Sequence, residues 1–136
     1  MSYSSEKLLN ELKQGNKRNF VIGEKIMSAD EITIEDFMKI DLRVGKVLEA
    51  ERIPNTKNLI KLKVDLGGEV RQIIAGLAKW YEPDYFVGKL VIVVANLKPK
   101  KIRGELSQGM LLAADAEEKP VLLTVMEEVP PGTRIR

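Results

Sequence analysis

Between residues 60 and 75 the chain alternates with a period of two, and that pattern leaves little choice of local structure. Ile60, Leu62, Val64 and Leu66 are apolar, while Lys61, Lys63 and Asp65 between them are charged. Successive side chains of a strand point to opposite faces, so this alternation predicts a strand with one buried face. Gly67-Gly68 follows as a two-residue hairpin signal, and Val70, Gln72, Ile73, Ile74 and Ala75 form the return strand. The strand pattern extends in both directions. Leu42, Val44, Val47 and Leu48 lie in a strand-like run over residues 40–53, where the interior Gly45 predicts a bulge or sharp bend. Pro54-Asn55 predicts a turn. Residues 90–95 are apolar and mostly β-branched, as expected of a central strand, and residues 110–114 and 121–126 read as two more. Residues 77–88 are rich in aromatics and contain Pro83, and read as a short helix between strands. Pro130-Pro131-Gly132 predicts a closing turn.

Upstream the period changes. Leu8, Leu9 and Leu12 make one apolar stripe, predicting a helix within residues 1–18, with Ser4 or Ser5 as cap and Gly15-Asn16 as stop. Residues 20–27 are apolar but broken by Gly23 and charges, and read as a linker or extended tether. Thr33 and the acid at Asp36 have capping-box spacing and predict a short helix through Met38. The chain thus divides into an N-terminal helix and tether, residues 1–32, and a β domain, residues 33–136.

Composition removes most chemistry. The 136 residues include neither cysteine nor histidine. That excludes Ser–His and Cys–His nucleophiles, imidazole acid–base catalysis and Cys/His zinc sites within this chain. No run of eighteen apolar residues appears, so no helical membrane span is expected. The polar first ten residues lack an apolar signal core, and the expected location is the cytoplasm. Asp115, Glu117 and Glu118 lack the spacing of a cation site and read as a solvated turn. No catalytic residue, metal site or cofactor is expected.

The predicted order is three strands, a short helix, a strand, a long basic loop and a further strand. That order predicts an all-β fold, a five-stranded OB-fold barrel whose short helix lies between strands 3 and 4, with a small C-terminal β extension. In such barrels the ligand face comes from strands 2–3 and the loops after strands 1 and 4. Net charge is only +2, from 22 basic and 20 acidic residues, so distribution carries the information. Lys98, Lys100, Lys101 and Arg103 place four positive charges in six residues with no acid among them. They fall in the loop after strand 4, residues 96–109, beside the expected ligand face. A solvated loop that aids solubility would show the same composition; the position on the barrel favours phosphate contact. Lys61, Lys63 and Arg71 are expected as a row on the outer face of the hairpin of strands 2 and 3. Trp80, Tyr81, Tyr85 and Phe86 sit in the inter-strand helix, where packing against the core, with the Tyr hydroxyls at the rim, is expected over base stacking.

Four separated motifs, in order, carry a resemblance. They are Asp41-Leu42-Arg43-Val44-Gly45-Lys46-Val47, Ile74-Ala75-Gly76-Leu77, Asn96-Leu97-Lys98-Pro99-Lys100-Lys101-Ile102-Arg103-Gly104, and Ser107-Gln108-Gly109-Met110-Leu111-Leu112-Ala113. Over about residues 33–136 the chain resembles the tRNA-binding domain family. This module occurs at the C-terminus of methionyl-tRNA synthetases, as a free-standing structure-specific tRNA-binding protein, and in the endothelial monocyte-activating polypeptide. The resemblance implies an OB-fold that binds tRNA with little sequence preference, commonly as a homodimer. It implies RNA contacts from Asn96, Lys98, Lys100, Lys101, Arg103, Ser107 and Met110. Arg43 matches the first-strand motif, with a structural role equally open. Met1-Ser2 resembles an initiator sequence and suggests a separately encoded chain, similar to a methionyl-tRNA synthetase beta subunit acting in trans. Residues 1–32 would then support a dimer or dock the catalytic subunit. The alternative is a dimeric export-related chaperone of the same fold that binds extended peptides; the Asn-Leu-Lys-Pro and Ser-x-Gly-Met signatures favour the tRNA-binding branch.

Overall fold

The computed structural model describes residues 19–22, 25–28 and 30–136, the first two segments as backbone strands. The helix expected within residues 1–18, with its caps, lies outside the described residues. The chain divides into two compact units, Met1–Phe37 and Met38–Arg136.

In the first unit β1 (Asn19–Ile22) pairs antiparallel with β2 (Lys25–Ser28), Asn19 opposite Ser28 and Ile22 opposite Lys25. The segment expected as a tether is therefore extended but paired with itself. Helix α1 (Ile34–Met38) begins where the cap predicts: Thr33 Oγ1 accepts from the Asp36 N–H at 3.1 Å.

The second unit is a nearly closed five-strand antiparallel barrel of the OB type. Strand β3 (Leu42–Arg52) is shared between two long partners. Its first half pairs with β6 (Leu90–Val94), Leu42 opposite Val94, and its second half with β4 (Ile60–Asp65), Arg52 opposite Ile60. The register shifts between Val47 and Glu49, so the bulge falls at Leu48 rather than at Gly45. A bulge adds twist and bends a strand, which lets β3 belong to both walls. Gly45 answers a different need, because a Cβ there would collide with Val64 Cγ1.

Strand β4 turns into β5 (Val70–Ala75) through Gly67-Gly68, both at positive φ as expected for a two-residue hairpin. Val47, Ile60, Leu62, Val64, Ile73, Val91 and Val93 fill the barrel. Between β5 and β6 the expected helix is a single 3-10 turn, Pro83–Phe86. Phe86 is buried in the core, and Tyr81 packs against it with its hydroxyl donating to Pro120 O at 2.8 Å. Tyr85, in contrast, is mostly exposed.

Residues 96–109, expected as a loop, form an arm: β7 (Lys100–Ile102) and β8 (Glu105–Ser107) pair antiparallel. After it β9 (Met110–Leu111) pairs with β6. The strand expected over residues 110–114 breaks at Leu112, and β10 (Ala113–Ala116) pairs with β11 (Lys119–Leu122), which ends earlier than the expected 121–126. Glu117 and Glu118 make the turn between them, both at positive φ. β12 (Arg134–Ile135), not anticipated, pairs with the start of β3 along the edge that β4 leaves open.

Candidate nucleic-acid interface

The arm is built from two three-residue strands and a two-residue turn. Arg103 and Gly104 both have positive φ, 52° and 82°. Two consecutive residues of this kind match the twist of a short hairpin. Arg103 occupies a backbone region that disfavours side chains, and its position in the turn puts it at the arm's tip. Across the ladder Lys100 faces Ser107, Lys101 faces Leu106 and Ile102 faces Glu105. Opposed residues share a face, so Lys101 and Leu106 lie on one side and Lys100, Ile102, Glu105 and Ser107 on the other.

The second side rests on the barrel. Ser107, 5% exposed, accepts the Ile74 N–H on Oγ at 3.0 Å. The Gln108 N–H donates to Gln72 O at 2.7 Å, and Gln108 Oε1 accepts the Gln72 N–H at 3.2 Å. Gln72 Nε2 donates to Leu106 O at 2.9 Å and to Glu105 Oε1 at 3.3 Å. Ser107 and Gln108 thereby close the barrel against β5 where a regular ladder is absent. Neither Gln72 nor Gln108 stood out in the sequence as a site residue; a lone glutamine carries no signal of the partner it meets.

The expected site cations divide into two groups. Lys98, Lys100, Lys101 and Arg103 are exposed, and none forms an ion pair among the described residues. The others are committed. Lys61 Nζ lies 3.2 Å from Glu51 Oε1 and 3.6 Å from Glu105 Oε1, and the bond to Glu51, followed by the two carboxylate charges, raises its pKa against the opposing effect of burial. Lys63 donates to Gln72 Oε1 at 2.7 Å. Arg43 is paired with Asp41 at 3.0 Å, and that hydrogen bond and charge raise its pKa. Arg71 does not share the outer row with Lys61 and Lys63. It stands opposite Val64, on the inward face, while Lys63 stands opposite Gln72. Its guanidinium reaches over the barrel end to Ala95 O at 2.6 Å and Gln108 O at 3.3 Å, and pairs with Glu69 at 3.0 Å. The register, one residue out of step with the expected row, is the reason.

Asn96 roots the arm. Its Oδ1 accepts the Asp41 N–H at 2.9 Å and its Nδ2 donates to Lys39 O at 2.7 Å. Met110 is 47% exposed beside Val94. Three of the free cations, Lys100, Lys101 and Arg103, thus lie on the hairpin and Lys98 lies in the stretch that leads into it, while Asn96, Ser107 and Arg71 tie the arm's base to the barrel.

A second feature lies on another wall of the barrel. Tyr81, Tyr85, Leu123 and Met126 help line a groove of about 550 Å³, with Met126 fully exposed.

Comparison with known proteins gives one answer by family and two by structure. The family model described as "Putative tRNA binding domain" matches residues 42–134. A methionine–tRNA ligase of Archaeoglobus fulgidus is 54% identical over 113 residues, covering 83% of this chain and 17% of the ligase. One from Pyrococcus furiosus is 47% identical over 131 residues, 96% of this chain and 17% of the ligase. The chain therefore spans about a sixth of the length of these relatives. Among solved structures, a MetRS-related protein from Pyrococcus horikoshii matches with a TM-score of 0.75 and 46% identity, covering 79% of this chain and 99% of that one. A chaperone CsaA of Bacillus anthracis matches with a TM-score of 0.71 and 33% identity, covering 79% of this chain and all of that one.

Proposed function

Because the chain belongs to the tRNA-binding domain family, we propose that it is a non-catalytic tRNA-binding module that serves an aminoacyl-tRNA synthetase in trans, in the first instance a methionyl enzyme. The observation that carries this reading is the group of four unpaired cations on the arm. Lysine and arginine neutralise phosphates and release counterions, an interaction blind to base sequence. A-form RNA hides its base edges in a deep groove, so a general tRNA binder must read backbone and shape. A projecting basic hairpin fixed to a rigid barrel suits that task. As a homodimer the protein would present two arms, and linked sites gain effective concentration when their spacing matches the ligand. In this reading residues 1–32 hold the second copy or the catalytic subunit, and the protein works in the cytoplasm.

Charge reversal at Lys98 and Lys101 tests the arm. The K98E/K101E variant should keep the wild-type urea-unfolding curve and lose tRNA binding in a filter assay at low salt. Unchanged affinity in the folded variant would remove the arm from the interface.

A second reading, a chaperone for extended peptides, draws on the CsaA match and on the apolar groove beside Leu123 and Met126. It predicts that an unfolded polypeptide displaces tRNA or binds in its place. Wild-type protein that prefers unfolded polypeptide to tRNA would put this reading first.

A further inference from the structure

A groove of about 530 Å³ lies between the arm's tip and the β3–β4 connection, lined by Asn55, Lys57, Asn58, Leu59, Ile102 and Arg103. Thr56 completes the lining, but its hydroxyl is spent on Ile53 O at 2.7 Å. The wall formed by the connection is fixed in advance. The Ile53 N–H donates to Leu59 O at 3.1 Å, and the Ala78 N–H donates to Asn58 O at 2.9 Å. Asn55 sits at φ 64°, a region asparagine tolerates better than most residues. The facing wall is the arm's tip, where the hairpin turn sets the backbone of Arg103. The side chains of Asn55, Lys57, Asn58 and Arg103 make no hydrogen bond or ion pair among the described residues.

We propose that this groove is a subsite for one unpaired nucleotide of the bound RNA. The proposal rests on the tRNA reading and adds to it the part of the RNA that the arm's tip meets. Three features support it. Cations stand on both walls, Lys57 on one and Arg103 on the other, placed for a phosphate that enters between them. Asparagine amides carry both a donor and an acceptor, as the edge of a nucleobase does, which lysine alone cannot match. Leu59 and Ile102, each half-buried, give apolar surface for a ring face. The volume lies in the range of small-ligand sites, enough for a nucleotide and too small for a helix. Paired bases keep their Watson–Crick edges engaged, so loops and ends of an RNA are what such amides can read. The arm's cations would then hold the backbone while the groove selects RNA with an unstacked residue.

The test compares two RNAs against two variants. N55G/N58A removes both amides; glycine accepts φ 64°, and neither side chain leaves a partner unsatisfied. Binding is measured with total tRNA and with a fully paired RNA duplex of similar phosphate content, over a salt series, with urea unfolding as the control. The expected result is about tenfold weaker tRNA binding, the size of one lost base-edge contact, with duplex affinity and salt slope unchanged. Unaltered tRNA affinity, or equal weakening towards both RNAs, would overturn the subsite. The K98E/K101E protein, run in parallel, separates the two readings. If it loses tRNA while N55G/N58A does not, the groove falls and the arm stands. If wild-type protein binds tRNA no better than duplex, the groove falls as well.

Discussion

Gly45 has no room for a side chain. A Cβ there would collide with Val64 Cγ1 and press on Leu66 Cδ2 at 3.1 Å and Val93 Cγ2 at 3.2 Å, all in the closed core. Forcing a methyl into such packing costs about 1–3 kcal/mol. G45A should therefore lower the free energy of unfolding by about 2 kcal/mol in urea titration, and a fall below about 0.5 kcal/mol would mean that the core gives way easily. The glycine was legible as special, but not its reason. An interior glycine marks either a bulge or a close approach, and only the fold brings Val64 against it. Ser107 makes the same point about function. Its motif implies RNA contact, yet the hydroxyl is buried and accepts the Ile74 N–H. Leaving that donor unsatisfied costs about 1–3 kcal/mol. S107A should lose stability by about that amount, whereas M110A, at a half-exposed position, should change it by no more than about 0.5 kcal/mol. Equal stability of S107A and wild type would return Ser107 to a purely RNA-facing role.

At the scale of the element, the arm decides the electrostatics. Four cations on the arm and the stretch leading into it, each neutralising one phosphate, give a log–log salt slope of about −3 per arm. Reversing Lys98 and Lys101 should reduce its magnitude by about two where residual binding is measurable, while a neutral change at Lys61 should leave it alone, because Glu51 and Glu105 already hold that charge. A slope that falls equally for K61Q would place Lys61 at the phosphates. The long strands were legible because eleven- and six-residue runs alternate for several periods. The arm was not, since three residues a side give no period and its turn is Arg-Gly rather than the usual Asn-Gly. β12 is two residues long and exists only because β3 leaves an edge free. The site cations were legible as a cluster; which were free and which were spent depended on partners that only the fold selects, Glu51 and Glu105 for Lys61, Gln72 for Lys63 and Glu69 for Arg71.

At the scale of the molecule, the proposed function makes the barrel a holder and leaves the chemistry to a synthetase body. A module that grips tRNA through phosphates grips it equally in the ground state and in the transition state. Uniform binding of that kind lowers KM and leaves kcat unchanged. Supplied in trans to a methionyl-tRNA synthetase whose own matching segment has been removed, the full chain should lower KM for tRNA about tenfold or more by raising its local concentration. The K98E/K101E chain should have no effect, and KM for methionine should not move with either. Each alternative leaves a distinct mark. A rise in kcat at constant KM would mean that the chain reshapes the catalytic site rather than delivering tRNA to it. No change with wild-type chain, despite tight tRNA binding on its own, would separate the two functions: the arm would bind tRNA, but nothing on this chain would engage that synthetase.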